Sequence, residues 1–128
     1  MTMTPIYQIW EQLKFVSDCS SLTEEQIKTI SPILKEEATA REIKRIRYLL
    51  QRSGIKRIKR LEDFDWKFNP QLPRNEIMNL SQSSWDADVK NAVLIGPSGV
   101  GKSHLASAVC YHAIQKGIPT AFITCFDL

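Results

Sequence analysis

The sequence predicts a helical N-terminal region followed by the opening elements of an α/β domain built on a parallel sheet. Three observations point there. Apolar residues recur at helical spacing through the first fifty residues. Two short apolar runs then flank a helix-length segment near the end of the chain. A glycine-rich loop joins the first of those runs to that segment.

Ile6, Ile9, Trp10, Leu13 and Val16 share one face at helical spacing, so Pro5 to Ser17 reads as an amphipathic helix. Thr23 followed by Gln26 fits a capping box and starts a short second helix. Ser31 and Pro32 read as a fresh N-cap and first-turn proline, which opens a third helix. That helix runs to about Arg52, with Gly54 as its stop. At about 100° per residue, Arg41, Lys44, Arg45, Tyr48 and Arg52 cluster on one side. Ile43, Ile46, Leu49 and Leu50 lie opposite and are expected to pack against the preceding helices.

Phe64, Trp66 and Phe68 alternate, so 64–68 reads as an extended aromatic connector broken by Pro70 and Pro73, its rings expected to cover a core edge. A short helix is expected around Asn75 to Leu80, and a polar, turn-like stretch from Ser81 to Asp88. Ala92-Val93-Leu94-Ile95 suits a buried strand. His104 to Lys116 is long enough for a helix and Gly117 caps it. Thr120 to Thr124 reads as a second buried strand. Together these form a βαβ unit, which belongs to a parallel sheet.

The chain of 128 residues is 43% apolar, enough for one modest core. It offers no apolar run of the roughly 18 residues a membrane span needs and no secretory leader pattern, so a cytoplasmic protein without a membrane partner is expected. Cys19, Cys110 and Cys125 are odd in number and irregularly spaced, which argues against a zinc site or a disulfide framework. The net charge of +3 conceals one basic block: residues 41–60 hold nine Lys or Arg against Glu42 alone. Such a block marks either a nucleic-acid contact or a solvated helix face. Its candidates for DNA phosphates are Arg41, Lys44, Arg45, Arg52, Lys56, Arg57, Lys59 and Arg60. No base-reading motif accompanies them, so contact without sequence preference is expected.

Gly96-Pro97-Ser98-Gly99-Val100-Gly101-Lys102-Ser103 matches G-x-x-x-x-G-K-[ST], the P-loop or Walker A pattern. Each position has a physical task. Glycines let the backbone turn tightly and bring its N–H groups to phosphate oxygens. The helix that follows aims its free N–H donors and positive dipole end at the same anion. Lys102 is expected to reach the β- and γ-phosphates of ATP, and the Ser103 hydroxyl to ligate Mg²⁺. His104, the next residue, is counted with Gly96–Ser103 among the cofactor-binding residues, and is expected to pack or hydrogen-bond beside the loop rather than to act in catalysis. An ATPase also needs an acidic residue on a later strand. Asp127 reads instead as a helix N-cap, so the chain reads as the first part of a nucleotide-binding domain, truncated within it.

Leu61-Glu62-Asp63-Phe64-Asp65-Trp66, together with Asn91 to Ala106, resembles the IstB-like transposition helper ATPases of bacterial insertion sequences, relatives of DnaC-type helicase loaders in the AAA+ superfamily. The resemblance implies a P-loop AAA+ parallel-sheet domain over 61–128, preceded by a helical accessory region over 1–60. It further implies ATP with Mg²⁺, self-assembly on DNA and cooperation with a transposase. Gly96, Gly101, Lys102 and Ser103 carry over as phosphate and Mg²⁺ contacts. Walker B, the sensor and the arginine finger have no counterparts within these residues, which leaves hydrolysis by this chain open. Two alternatives stand beside this reading: a truncated, non-catalytic DNA- or partner-binding module, and a helicase loader of the DnaC type.

Overall fold

The computed structural model describes residues 6–83 and 91–128. The expected helix start at Pro5 and most of the polar stretch to Asp88 lie outside them. Four α-helices are present: α1 (Ile6–Gln12), α2 (Glu24–Arg52), α3 (Arg74–Gln82) and α4 (Lys102–Gln115). Short 3-10 turns occupy Leu61–Asp63 and Cys125–Asp127. The contact pattern divides the chain into two compact units, 1–45 and 46–128, with the division falling inside α2.

The first unit is built on α1 and the start of α2. Ile9, Leu13 and Ala38 form its buried core, with Leu34 packed against them. Here α1 stops earlier than the apolar spacing suggests, and the reason is local. Lys14 turns left-handed (φ 56°). Its N–H then bonds to the Glu11 carbonyl at 2.9 Å, and that of Phe15 to Trp10 at 3.2 Å. This is a Schellman ending, and the Trp10 and Phe15 rings supply its apolar clasp at 4.6 Å. The capping box that opens α2 is complete. The Thr23 amide donates to Gln26 Oε1 at 2.9 Å, and the Gln26 amide to Thr23 Oγ1 at 3.3 Å.

Two expectations for this region are corrected. The second and third helices are one, because α2 runs straight through Pro32. Proline there removes a single ladder bond, that to the Lys28 carbonyl, while the helix on both sides supplies the rest. The packing face is also different. Ala38 and Leu34 meet α1, whereas Ile43 is 54% exposed. Arg41 belongs to the packed side, since its guanidinium donates to the Leu13 carbonyl at 3.2 Å and pairs with Glu37 at 2.7 Å.

The second unit is organised by α4. Leu105, Ala108 and Val109 on this helix pack with Leu61 and Ile77, and Phe64, Trp66, Leu72, Met78, Leu80 and Leu94 close around them. Its C-terminus is a second Schellman motif. Gly117 (φ 77°) bonds to the Ile114 carbonyl at 2.8 Å, and Ile118 reaches Ala113 at 3.1 Å. The 64–68 connector is not extended. Its polar residues turn it: the Phe68 amide reaches the Asp65 carbonyl, and the Lys67 amide reaches Asp65 Oδ1 at 3.0 Å.

The expected α/β fold with the start of a parallel sheet is not what the chain forms. The architecture is helical, and no strand occurs among the described residues. Both apolar runs are irregular. In the first, Leu94 packs on the core while Val93 is 76% and Ile95 91% exposed. In the second, the Phe122 amide finds its acceptor in the Ser53 carbonyl at 2.7 Å, at the end of α2, rather than in the other run. Gly54 (φ 80°) permits that approach, because a Cβ there would sit 2.7 Å from the Phe122 carbonyl oxygen. An apolar run records that a segment can be buried. A strand also needs a neighbour to satisfy its N–H and C=O groups, and the run does not name one.

Candidate functional site

The loop Gly96–Ser103 lies at the head of α4, the helix around which the second unit packs. Two glycines set its course. Gly99 (φ 80°) and Gly101 (φ 93°) both occupy the left-handed region, which side-chain-bearing residues rarely adopt. At Gly99 the space around a would-be Cβ is open, so only the backbone conformation calls for glycine. At Gly101 space is lacking as well: a Cβ would lie 2.8 Å from Cε2 of Phe64.

Gly101 is also the N-cap of α4, and its carbonyl accepts from the Leu105 amide at 3.0 Å. The amides of Lys102, Ser103 and His104 precede that first helical bond, so they point out of the helix end as donors. Lys102 is the first helical residue, and its side chain folds back over the loop to donate to the Pro97 carbonyl at 2.5 Å. The ammonium is thereby held across the loop that the glycines turn. Ser103 is exposed at the same end, while Val100 is half-buried and Gly96, Pro97 and Ser98 are exposed. A cation, a helix N-terminus and a tight glycine turn converge here, an arrangement suited to holding an anion.

Behind the loop stands the connector. The Phe64 ring meets His104 edge-on at 5.1 Å and Trp66 at 4.8 Å, and Arg74 lies over Trp66 at 5.3 Å. His104 Nε2 is 3.3 Å from the Arg60 carbonyl, which ties the first turn of α4 to the end of the basic segment. The alternation of rings along 64–68 marked this stretch in the sequence. That one ring would buttress a loop glycine was not legible, because nothing in the pattern relates position 64 to position 101.

The basic candidates do not form one set. Arg41, Lys44 and Arg45 lie in the first unit; Arg52, Lys56, Arg57, Lys59 and Arg60 lie in the second. Arg41 is committed to Glu37 and Leu13. Arg52 is committed to Tyr48, donating to its hydroxyl at 2.8 Å and lying over its ring at 5.5 Å. Lys44, Lys56, Arg57, Lys59 and Arg60 are exposed, and the last four follow one another closely in the irregular segment after α2. No helix among the described residues is long and apolar enough to cross a membrane.

The second unit is thus of a helical class whose central helix begins at a glycine-turned loop crossed by the Lys102 side chain. The family described as IstB-like ATP binding protein matches residues 4–128, and the chain belongs to it. A protein of insertion sequence IS232 from Bacillus thuringiensis subsp. berliner, named for ATP binding, is 30% identical over 102 residues. That stretch is 80% of this chain and 41% of the relative. The corresponding protein of IS5376 from Geobacillus stearothermophilus is 31% identical over 96 residues, covering 75% of this chain and 38% of its own. That of IS21 from Pseudomonas aeruginosa is 31% identical over 90 residues, covering 70% and 34%. The chain therefore spans about two fifths of the length of these curated relatives.

Proposed function

We propose that Gly96–Ser103 is a Walker A loop that binds ATP with Mg²⁺, and that the chain is the nucleotide-binding part of an insertion-sequence ATPase working with a transposase on DNA. The observation that carries this reading is the placement of Lys102. It is the first residue of α4, directly after a left-handed glycine, with its ammonium folded across the loop. A β- or γ-phosphate in the loop would receive the amides of Lys102, Ser103 and His104 together with the Lys102 ammonium. Gly96 and Gly99 let the backbone come close, and Pro97, Ser98 and Val100 complete the turn. The Ser103 hydroxyl, exposed at the helix head, is a hard oxygen donor of the kind Mg²⁺ selects. Held there by Ser103, the ion would offset the negative charge of the phosphates.

The membership in a family of ATP-binding proteins supports nucleotide as the anion. The insertion-sequence setting of the relatives supports transposition rather than helicase loading. The exposed run Lys56, Arg57, Lys59 and Arg60 supports contact with DNA phosphates, without sequence preference, in the cytoplasm. Self-assembly and cooperation with a transposase belong to the same proposal. Titration of the chain with ATP, with and without Mg²⁺, tests the site. Mg²⁺ should tighten binding in the wild type and have little effect in Ser103→Ala. Equal Mg²⁺ dependence in both proteins would remove Ser103 from the metal.

A further inference from the structure

We infer that the groove along the flank of α4, between Tyr111, His112 and Gln115 on one wall and Arg60 and Glu62 on the other, is a docking site for the phosphodiester backbone of duplex DNA. This deepens, and rests on, the reading of Lys56–Arg60 as a DNA contact.

The groove has a volume of about 290 Å³ and lies in the second unit, on the flank of α4 from Ala108 to Gln115. Ala108, Tyr111, His112 and Gln115 share one face of α4, recurring at helical spacing. The 3-10 turn Leu61–Asp63 forms the opposite wall. Among the described residues, the Arg60 guanidinium, the Tyr111 hydroxyl, the His112 ring and the Gln115 amide make no hydrogen bond or ion pair. Four donors on one groove, without protein partners, suit a ligand rich in acceptor oxygens.

Charge narrows the ligand to a polyanion. Arg60 is the last member of the run Lys56, Arg57, Lys59 and Arg60, all exposed. A backbone neutralised by that run is led by Arg60 into the groove, where Tyr111, His112 and Gln115 hydrogen-bond the next phosphate and fix its register. Glu62 works against this ligand. Its carboxylate lines the same groove and repels phosphate, which weakens binding and makes the residue diagnostic. The groove and the proposed nucleotide loop occupy the flank and the head of one helix, so both ligands would be read by α4.

The test is fluorescence anisotropy of a short labelled DNA duplex with the full chain, over a range of salt, beside ATP binding by each protein. The triple variant Tyr111→Phe, His112→Ala, Gln115→Ala should bind the duplex about tenfold more weakly. Arg60→Ala should lower the salt slope by about 1. Glu62→Gln should tighten binding about threefold, a gain that misfolding does not mimic. All three should bind ATP as the wild type does. Unchanged duplex affinity in both the triple variant and Glu62→Gln would overturn the inference while leaving the ATP reading intact. Duplex binding with the expected dependences, in a wild type that fails to bind ATP, would support the groove and sink the Walker A proposal alone.

Discussion

The ring of Phe64 lies against the α-carbon of Gly101, so near that a methyl group there would stand 2.8 Å from Cε2 and 3.1 Å from Cζ. The connector before the loop and the glycine that turns the loop into α4 are thus one packed unit. Gly101 is constrained twice, by its left-handed φ of 93° and by that ring. Gly99 is constrained once, because nothing stands within 4 Å of its would-be Cβ.

The two glycines should therefore respond differently to alanine. Gly99→Ala should lose about 1 kcal/mol, the cost of a left-handed residue with a side chain. Gly101→Ala should lose about 2–3 kcal/mol, because strain adds to displacement of the ring. Urea unfolding of the two variants measures both. Equal losses would mean that Phe64 yields without resistance.

Phe64→Ala should cost about 2–3 kcal/mol, at or below the low end for a core phenylalanine because the ring is half-buried. It should also weaken ATP binding, although Phe64 is not assigned a contact with the nucleotide. Phe64→Leu, which retains bulk beside Gly101, should recover most of the affinity. An ATP affinity in Phe64→Ala equal to that of the wild type would show that the loop keeps its shape unaided.

Pro32 interrupts the hydrogen-bond ladder of α2 at an exposed position. Pro32→Ala should raise stability by about 1–3 kcal/mol, restoring the bond to Lys28 and the helical preference of alanine. Thermal unfolding followed by circular dichroism reads this as a higher Tm.

Cys110 is buried on α4, and burial pushes its thiol up to about 11. It should stay unmodified by a thiol reagent near pH 8 under native conditions, while exposed Cys125 reacts. The same shift gives a pH dependence of definite sign. The thiol ionises in the unfolded chain from its ordinary value of 9.0, but in the folded chain only near 11. Its contribution is therefore present below about 9 and is lost as pH rises toward 11. Denaturant midpoints across that window should fall more steeply in the wild type than in Cys110→Ala.

What could be read in advance was what local chemistry decides. The box of Thr23 and Gln26 and the cap at Gly117 each depend on residues a few positions apart, and both formed where the residue types placed them. The early stop of α1 was hidden because a lysine, not a glycine, takes the left-handed position. Pro32 misled because its rule concerns preference, and a long helix anchored at both ends overrides it. The strands failed for a deeper reason. The burial of Val93 and Ile95, and the pairing of Phe122, depend on partners far away in sequence, and the described chain gives Phe122 a helix end instead. The loop pattern at Gly96–Ser103 was plain, but its support by Phe64 is a contact between distant positions that no spacing encodes.

The central claim is that Lys102, held across the glycine turn at the head of α4, binds nucleotide phosphate. Its most direct test is calorimetric titration of ATP with Mg²⁺ into the wild-type chain and into Lys102→Ala, with helical content compared by circular dichroism. Saturable binding at one site is expected in the wild type, with at least about a hundredfold loss in a variant of unchanged helicity. Binding of equal strength in both proteins would contradict it.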